Sequence, residues 1–266
     1  MQPQLTHDTL QNMRVTFVGT SDAHPHSDRK QTCLYIEAGG LGHIVDCGDG
    51  TSSALYTDES IDWASLRALL LTHLHADHAG GAPIFLHLLY LRAKEHPQWS
   101  LCTEGMFSWH LPECEGARKL AAGLSAYHLR AEKFPFPLDI HFYRSNETFP
   151  AGALEVKAFP TSHCEESHGF VLTFGNKRLV VSGDLGSPAE IVEPASGADL
   201  LVVECAHFHP RELAAAIAKA LPRRVVITHM HPLLVQHLKE AGPYFEPLWS
   251  EGIVSFAYDG LTIEVD

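Results

Sequence analysis

Short apolar runs alternate with amphipathic segments along most of this chain. Short apolar or alternating runs are typical of strands, and longer segments with apolar residues three or four positions apart are typical of helices. The sequence therefore predicts strands at residues 15–18, 33–37, 43–47, 68–71, 100–103, 153–159, 169–174, 178–182, 200–203, 225–228, 253–257 and 261–265. It predicts helices at residues 82–94, 117–124, 211–220 and 233–240.

Residues 104–137 follow neither period clearly. Aromatic residues cluster there at Phe107, Trp109 and Tyr127. We interpret the stretch as a helical cover that packs its aromatic face on a sheet. A wall of a substrate pocket is the alternative.

Composition limits the class of protein. With 266 residues and 45% hydrophobic content, the chain can bury a full core, and no low-complexity linker divides it, so we expect one domain over residues 1–266. Its apolar runs are too short to span a membrane. Residues 1–4 have neither a basic region nor an apolar signal core, and the six cysteines form no Cys-x-x-Cys pair, so we expect a reduced cytoplasmic setting.

The segment Thr72-His73-Leu74-His75-Ala76-Asp77-His78 carries the most specific chemistry. Four side chains that bind metal fall within six residues, directly after the apolar run at residues 69–71. A loop that leaves a buried strand can turn several side chains toward one point. Imidazole and carboxylate together suit zinc, with iron or manganese as alternatives.

This segment, continued by Ala79-Gly80-Gly81, resembles the signature of the metallo-β-lactamase superfamily. Further ligand-type residues follow in the family's order, and three of them are His163, Asp184 and His229. The last two each come directly after an apolar run. The resemblance extends from about residue 14 to the last residue, and it implies an α/β fold of the four-layer αββα sandwich type.

The resemblance also implies two divalent metal ions, most readily Zn²⁺, with Mn²⁺ or Fe²⁺ as alternatives. The family motif assigns His73, His75 and His163 to the first ion, Asp77, His78 and His229 to the second, and Asp184 to a bridge between them. A water between such ions becomes the attacking hydroxide. Because His75 stands where the diiron oxygen-reducing branch has Glu, a hydrolase is favoured over a redox enzyme.

Four residues are candidates for acid–base roles. Asp77 is expected first as a ligand and second as a proton acceptor. Glu204 and His207 resemble a segment of ribonuclease Z-like enzymes in which an acid supports a histidine that protonates the leaving group. His231, two residues past His229, is a second candidate donor. Asp46 is expected to orient a metal-binding histidine rather than to bind metal.

Residues 19–21, 183–186 and 198–204 resemble the ribonuclease Z-like phosphodiesterase branch. The basic arm that grips tRNA is not visible, and the net charge of −13 opposes polyphosphate binding. We therefore expect a small-molecule or nucleotide phosphodiester as substrate and long nucleic acid as a poor partner. Hydrolysis of a carboxylic ester, lactone or thioester is the alternative, and tRNA 3′ processing or a non-catalytic metal-binding protein ranks lower. A homodimer is left open.

Overall fold

Two seven-stranded β-sheets pack face to face and carry helices on their outer sides. The computed structural model describes residues 12–24 and 26–266, so the expectation about a signal segment in residues 1–4 lies outside it. Its strands are β1 (Met13–Gly19), β2 (Cys33–Ala38), β3 (Leu41–Val45), β4 (Leu66–Leu70), β5 (Phe107–Pro112), β6 (Leu138–Tyr143), β7 (Thr148–Ala151), β8 (Leu154–Pro160), β9 (His168–Phe174), β10 (Lys177–Val181), β11 (Leu200–Glu204), β12 (Val225–Thr228), β13 (Val254–Phe256) and β14 (Thr262–Val265).

The α-helices cover the two outer faces and the loops at one edge. They are α1 (Thr51–Thr57), α2 (Ala76–Ala79), α3 (Ala82–Glu95), α4 (Ser100–Thr103), α5 (Glu115–Gly123), α6 (Pro210–Ala220), α7 (Pro232–Gln236) and α8 (Leu238–Ala241). Short 3₁₀ helices occur at Trp63–Ser65, Leu124–Tyr127, Ala131–Lys133, Pro188–Ile191 and Gly242–Phe245. Within the described residues, no helix is long and apolar enough to cross a membrane.

The strand order places parallel strands side by side in both sheets. The first sheet runs β14-β1-β2-β3-β4-β5-β6, and the second runs β13-β12-β11-β10-β9-β8-β7. Neighbours from β3 to β6 are parallel, and so are neighbours from β10 to β13. Because parallel strands end at the same edge of a sheet, the loops after β3, β4, β10, β11 and β12 can build one site.

Burial on both faces explains why the sequence shows continuous apolar runs. In β4, Ala68 and Leu70 pack in the core between the sheets, whereas Leu69 packs in the outer core beneath the helices. In β11, Leu200 and Val202 face the inner core, and Leu201 and Val203 face the outer core. A sheet covered on both sides needs no polar face, so its strands lose the alternation that marks a half-exposed sheet. The observed layers agree with the predicted αββα sandwich.

Two local predictions are wrong. Residues 100–103 form the short helix α4 rather than a strand. Residues 104–137 are not simply a helical cover, because Phe107 and Trp109 lie in the fully buried strand β5. That strand contains Ser108 and His110, whose side chains bond to each other at 2.8 Å. This hydrogen bond offsets part of the cost of burying two polar side chains in a strand where an apolar run would be expected.

Candidate metal centre

Seven side chains with metal-binding atoms meet at the carboxyl edge of the parallel strands. They form two groups of four that share one aspartate: His73, His75, His163 and Asp184, and then Asp77, His78, Asp184 and His229. Within each group, one ligand atom of every residue lies within 4.8 Å of those of the others. The structure therefore brings together all seven residues that the sequence nominated as ligands.

Asp184 lies between the two groups and presents one oxygen to each. Its Oδ2 is 3.7 Å from Nε2 of His73 and 3.5 Å from Nε2 of His163. Its Oδ1 is 3.1 Å from Nε2 of His78 and 3.3 Å from Nε2 of His229. This is the arrangement in which one carboxylate can bridge two cations.

The remaining members complete each group. In the first, Nδ1 of His75 lies 3.1 Å from Nε2 of His163. In the second, Oδ2 of Asp77 is 3.7 Å from Nε2 of His78 and 3.8 Å from Nε2 of His229. Asp77 and His78 reach this point because α2 begins directly after the loop that carries His73 and His75.

The chemistry of these residues fits divalent cations. His73 Nε2, His78 Nε2 and Asp184 Oδ1 are buried, and no hydrogen bond from the described part of the chain satisfies any of them. An unpaired buried polar atom costs about 1–3 kcal/mol, so three at one point indicate a missing partner. Burial also lowers the pKa of His73 far below its ordinary value, which keeps the imidazole neutral, the form that binds metal.

Hydrogen bonds at the far side of two rings set their orientation. Nδ1 of His78 donates to Oδ2 of Asp46 at 2.8 Å, as the sequence analysis expected of Asp46. Nδ1 of His229 lies 2.5 Å from Oγ1 of Thr32, which itself donates to the carbonyl of Ser21. Each bond leaves Nε2 free to face the centre. This role of Thr32 is not predicted from the sequence, because nothing in the local pattern marks a partner 197 positions away.

Glu204 and His207 form a pair beside Asp184. Oε1 of Glu204 accepts a hydrogen bond from Nδ1 of His207 at 2.8 Å, and this bond raises the pKa of His207. Nε2 of His207 lies 3.9 Å from Oδ2 of Asp184, and its ring stands 4.5 Å from that of His163. Glu204 is buried and is itself held by the backbone N–H groups of Leu185 and Ala206. The sequence predicts both members of this pair as candidates for acid–base roles.

His231 is placed differently. Its Nδ1 accepts a hydrogen bond from the N–H of Leu233 at 3.2 Å and caps α7, and its ring packs 4.6 Å from that of His24. In the described residues it forms no ion pair with Asp77 or Asp184. Of the two donor candidates named by the sequence analysis, only His207 contacts the shared carboxylate.

Relatives of known sequence align with most of this chain. A ribonuclease Z of Myxococcus xanthus is 26% identical and aligns with 95% of this chain and 98% of its own length. An uncharacterised protein of Mycobacterium leprae is 29% identical over 86% of this chain and 82% of its own length.

Solved structures show the same fold. The metallo-β-lactamase fold protein YhfI of Bacillus subtilis superposes with a TM-score of 0.77 at 18% identity, covering 96% of this chain and all of that protein. The short form of human tRNase Z gives a TM-score of 0.73 at 20% identity over 95% of this chain and 99% of its own.

The sequence model of one protein family, described as Anti-Pycsar protein Apyc1, matches residues 13–221. That span holds most of the chain and six of the seven side chains of the two groups. The predicted class is confirmed as a metal-dependent hydrolase of the metallo-β-lactamase superfamily. Within that superfamily, the chain belongs to the Anti-Pycsar protein Apyc1 family.

Proposed function

We propose that the protein hydrolyses a phosphodiester bond in a small molecule or nucleotide. The observation that carries this proposal is the Glu204–His207 pair beside Asp184. A thiolate leaves an acyl centre without help, whereas the alkoxide that leaves a phosphodiester, like that of an ester or lactone, needs a proton or a metal contact. A histidine held next to the candidate metal centre therefore suits an alkoxide leaving group and argues against a thioester.

The proposed centre holds two divalent cations, with zinc as the first choice. The proposed ligands are His73, His75 and His163 for one ion and Asp77, His78 and His229 for the other, with Asp184 shared. When bound, two such ions would lower the pKa of a water and offset charge on the phosphate oxygens. Asp77 would act mainly as a ligand, and its carboxylate would also be placed to accept a proton from water.

His207 is the proposed proton donor to the leaving group. Because its Nδ1–H is engaged by Glu204, the proton that it can give away is on Nε2, the atom that faces Asp184. Glu204 is a positioning residue, since its carboxylate fixes the ring and favours its protonated form. The backbone bonds that hold Glu204 keep that carboxylate from rotating away.

The surroundings of the centre favour a small substrate. A separate cavity of about 550 Å³ near the His163 loop is lined by Glu113, Glu115, Glu165 and Glu166 and by one cation, Arg144. This acidic surface repels the extended phosphate backbone of a long nucleic acid. A relative named ribonuclease Z and a neighbour named a diphosphatase of the PhnP family support cleavage of phosphate esters.

A substrate panel tests this proposal. Zinc-loaded and manganese-loaded protein would be assayed on bis-p-nitrophenyl phosphate, a cyclic nucleotide, a lactone and a thioester. We expect the highest kcat/KM on the two diesters, with His73→Ala lowering it by orders of magnitude. If the lactone or thioester is hydrolysed and neither diester is, the phosphodiesterase proposal is wrong and acyl hydrolysis takes its place.

A further inference from the structure

A second cluster of ligand-type side chains lies outside the seven already described. Asp22 and His24 belong to the loop after β1, and His231 follows β12. The two segments are held together by the backbone, since Ser21 forms a bridge with Met230 and the N–H of Met230 donates to the carbonyl of Thr20 at 3.2 Å. Backbone pairing therefore holds the cluster next to the turn that carries His229.

The spacing of these side chains matches that of metal ligands. Oδ2 of Asp22 lies 3.1 Å from Nδ1 of His24, and the rings of His24 and His231 are 4.6 Å apart. One ligand atom of each residue lies within 4.8 Å of those of the other two. Two ligands of a tetrahedral zinc ion with bonds of about 2.0–2.1 Å lie about 3.3 Å apart, close to the observed Asp22–His24 distance.

The burial of Asp22 points to a cation as well. This residue is only 4% exposed, and no lysine or arginine in the described residues pairs with it. A buried carboxylate is costly unless a positive charge or hydrogen bonds compensate for it. The Asp22 carboxylate accepts a hydrogen bond from the backbone N–H of His24 at 2.9 Å and lies beside the ring of the same residue. Neither of these groups is permanently charged. A divalent ion would supply a positive charge.

We propose that Asp22, His24 and His231 form a third cation site, which takes zinc or a similar transition-metal ion. Three protein ligands leave one position open, and the side chain of His24, which is 62% exposed, places that position at the surface. The ion would replace the bond from Leu233 if it took Nδ1 of His231. It would tie the loop after β1 to the turn that carries His229. This proposal does not depend on the phosphodiesterase function.

Metal content tests the third site. Wild-type protein, His24→Ala and the exposed control His237→Ala would be loaded with zinc, desalted and analysed by inductively coupled plasma mass spectrometry. We expect about three zinc ions per chain in the wild type and in His237→Ala, and about two in His24→Ala. His24 is exposed, so its replacement should not unfold the chain.

Several results would overturn the proposal. A wild-type count of two would do so, as would a count in His24→Ala equal to that of the wild type. A fall below two in His24→Ala would also contradict it, because no described contact joins His24 to the seven side chains. A count of three with no diester hydrolysis would leave this site standing and reject only the proposed function.

Discussion

Asp46 accepts a hydrogen bond from the side of the His78 ring that faces away from the candidate centre. Oδ2 of the carboxylate lies 2.8 Å from Nδ1 of the ring, and both side chains are buried. The other oxygen of Asp46 accepts the N–H of Thr72 at 2.8 Å, so the carboxylate is fixed by the loop that carries the histidines. Nε2 of His78 is thereby left 3.1 Å from Oδ1 of Asp184. The orientation of His78 thus depends on a residue outside the two groups of ligand-type side chains.

Replacement of Asp46 tests this relationship. Asp46→Asn keeps an oxygen for Thr72 but places an NH₂ group where the ring N–H of His78 needs an acceptor. We expect metal affinity or activity to fall about 10- to 100-fold, as is usual when such a partner is lost. Isothermal titration of metal-free protein with zinc measures the affinity. Asp49→Asn, an exposed neighbour, is the matched control and should bind as the wild type does.

The sequence predicted most of the sheet framework but not all of it. Runs such as residues 200–203 and 225–228 were recognised because strands buried on both faces are continuously apolar. Strand β5 was missed because it buries the polar residues Ser108 and His110, and hydrophobic periodicity cannot reveal the hydrogen bond between them. Helix α4 was mistaken for a strand, since four residues are too few for either period to show.

The ligand-type residues could be found from the sequence because they cluster at residues 73–78 and then at the ends of apolar runs. The residues that contact them from distant parts of the sequence could not be found in this way. Thr32 directly precedes β2 of one sheet and His229 directly follows β12 of the other, so their contact at 2.5 Å exists only after the sheets pack. The cluster of Asp22 and His231 has the same origin, because the backbone bridge between Ser21 and Met230 brings its two segments together. Long-range pairing of this kind leaves no local pattern.

A buried histidine away from the site predicts how stability depends on pH. Burial lowers the pKa of His43 to about 4, and the neutral ring donates to the carbonyl of Ile36 and accepts the N–H of Ala153. As pH falls below the ordinary value of 6.5, the unfolded chain takes up this proton first. The free energy of unfolding therefore decreases until about pH 4, by about 3 kcal/mol from this residue.

Urea unfolding of wild type and His43→Gln at pH 7.5 and pH 4.5 checks this expectation. His43→Gln should be less stable at pH 7.5, and the gap between the two proteins should shrink by about 2–3 kcal/mol at pH 4.5. Exposed His128→Asn is the control and should follow the wild type. A gap of equal size at both pH values would show that His43 titrates normally.

Leaving-group chemistry distinguishes His207 from His231. p-Nitrophenolate departs without a proton, whereas a ribose alkoxide does not. We expect His207→Ala to slow an unactivated diester by about 10²- to 10⁴-fold and bis-p-nitrophenyl phosphate far less. Parallel steady-state rates, with zinc content checked to be unchanged, provide the measurement. Equal slowing of both substrates would exclude His207 as the donor, and a selective loss in His231→Ala would assign the role there.

Binding of long RNA should be weak. A net charge of −13 repels phosphate, and no basic run in the sequence offsets it. In a filter assay at physiological salt, tRNA should be retained far less by this protein than by a ribonuclease Z used as the positive control. Tight retention that falls steeply with added salt would instead favour tRNA as the substrate.

Anomalous diffraction can show whether Asp184 joins two metal ions. Crystals of zinc-loaded protein would be measured above and below the zinc absorption edge. We expect two peaks that flank the Asp184 carboxylate about 3.5–4 Å apart, one beside His73 and one beside His229. A single peak, or none within bonding distance of Asp184, would contradict this expectation.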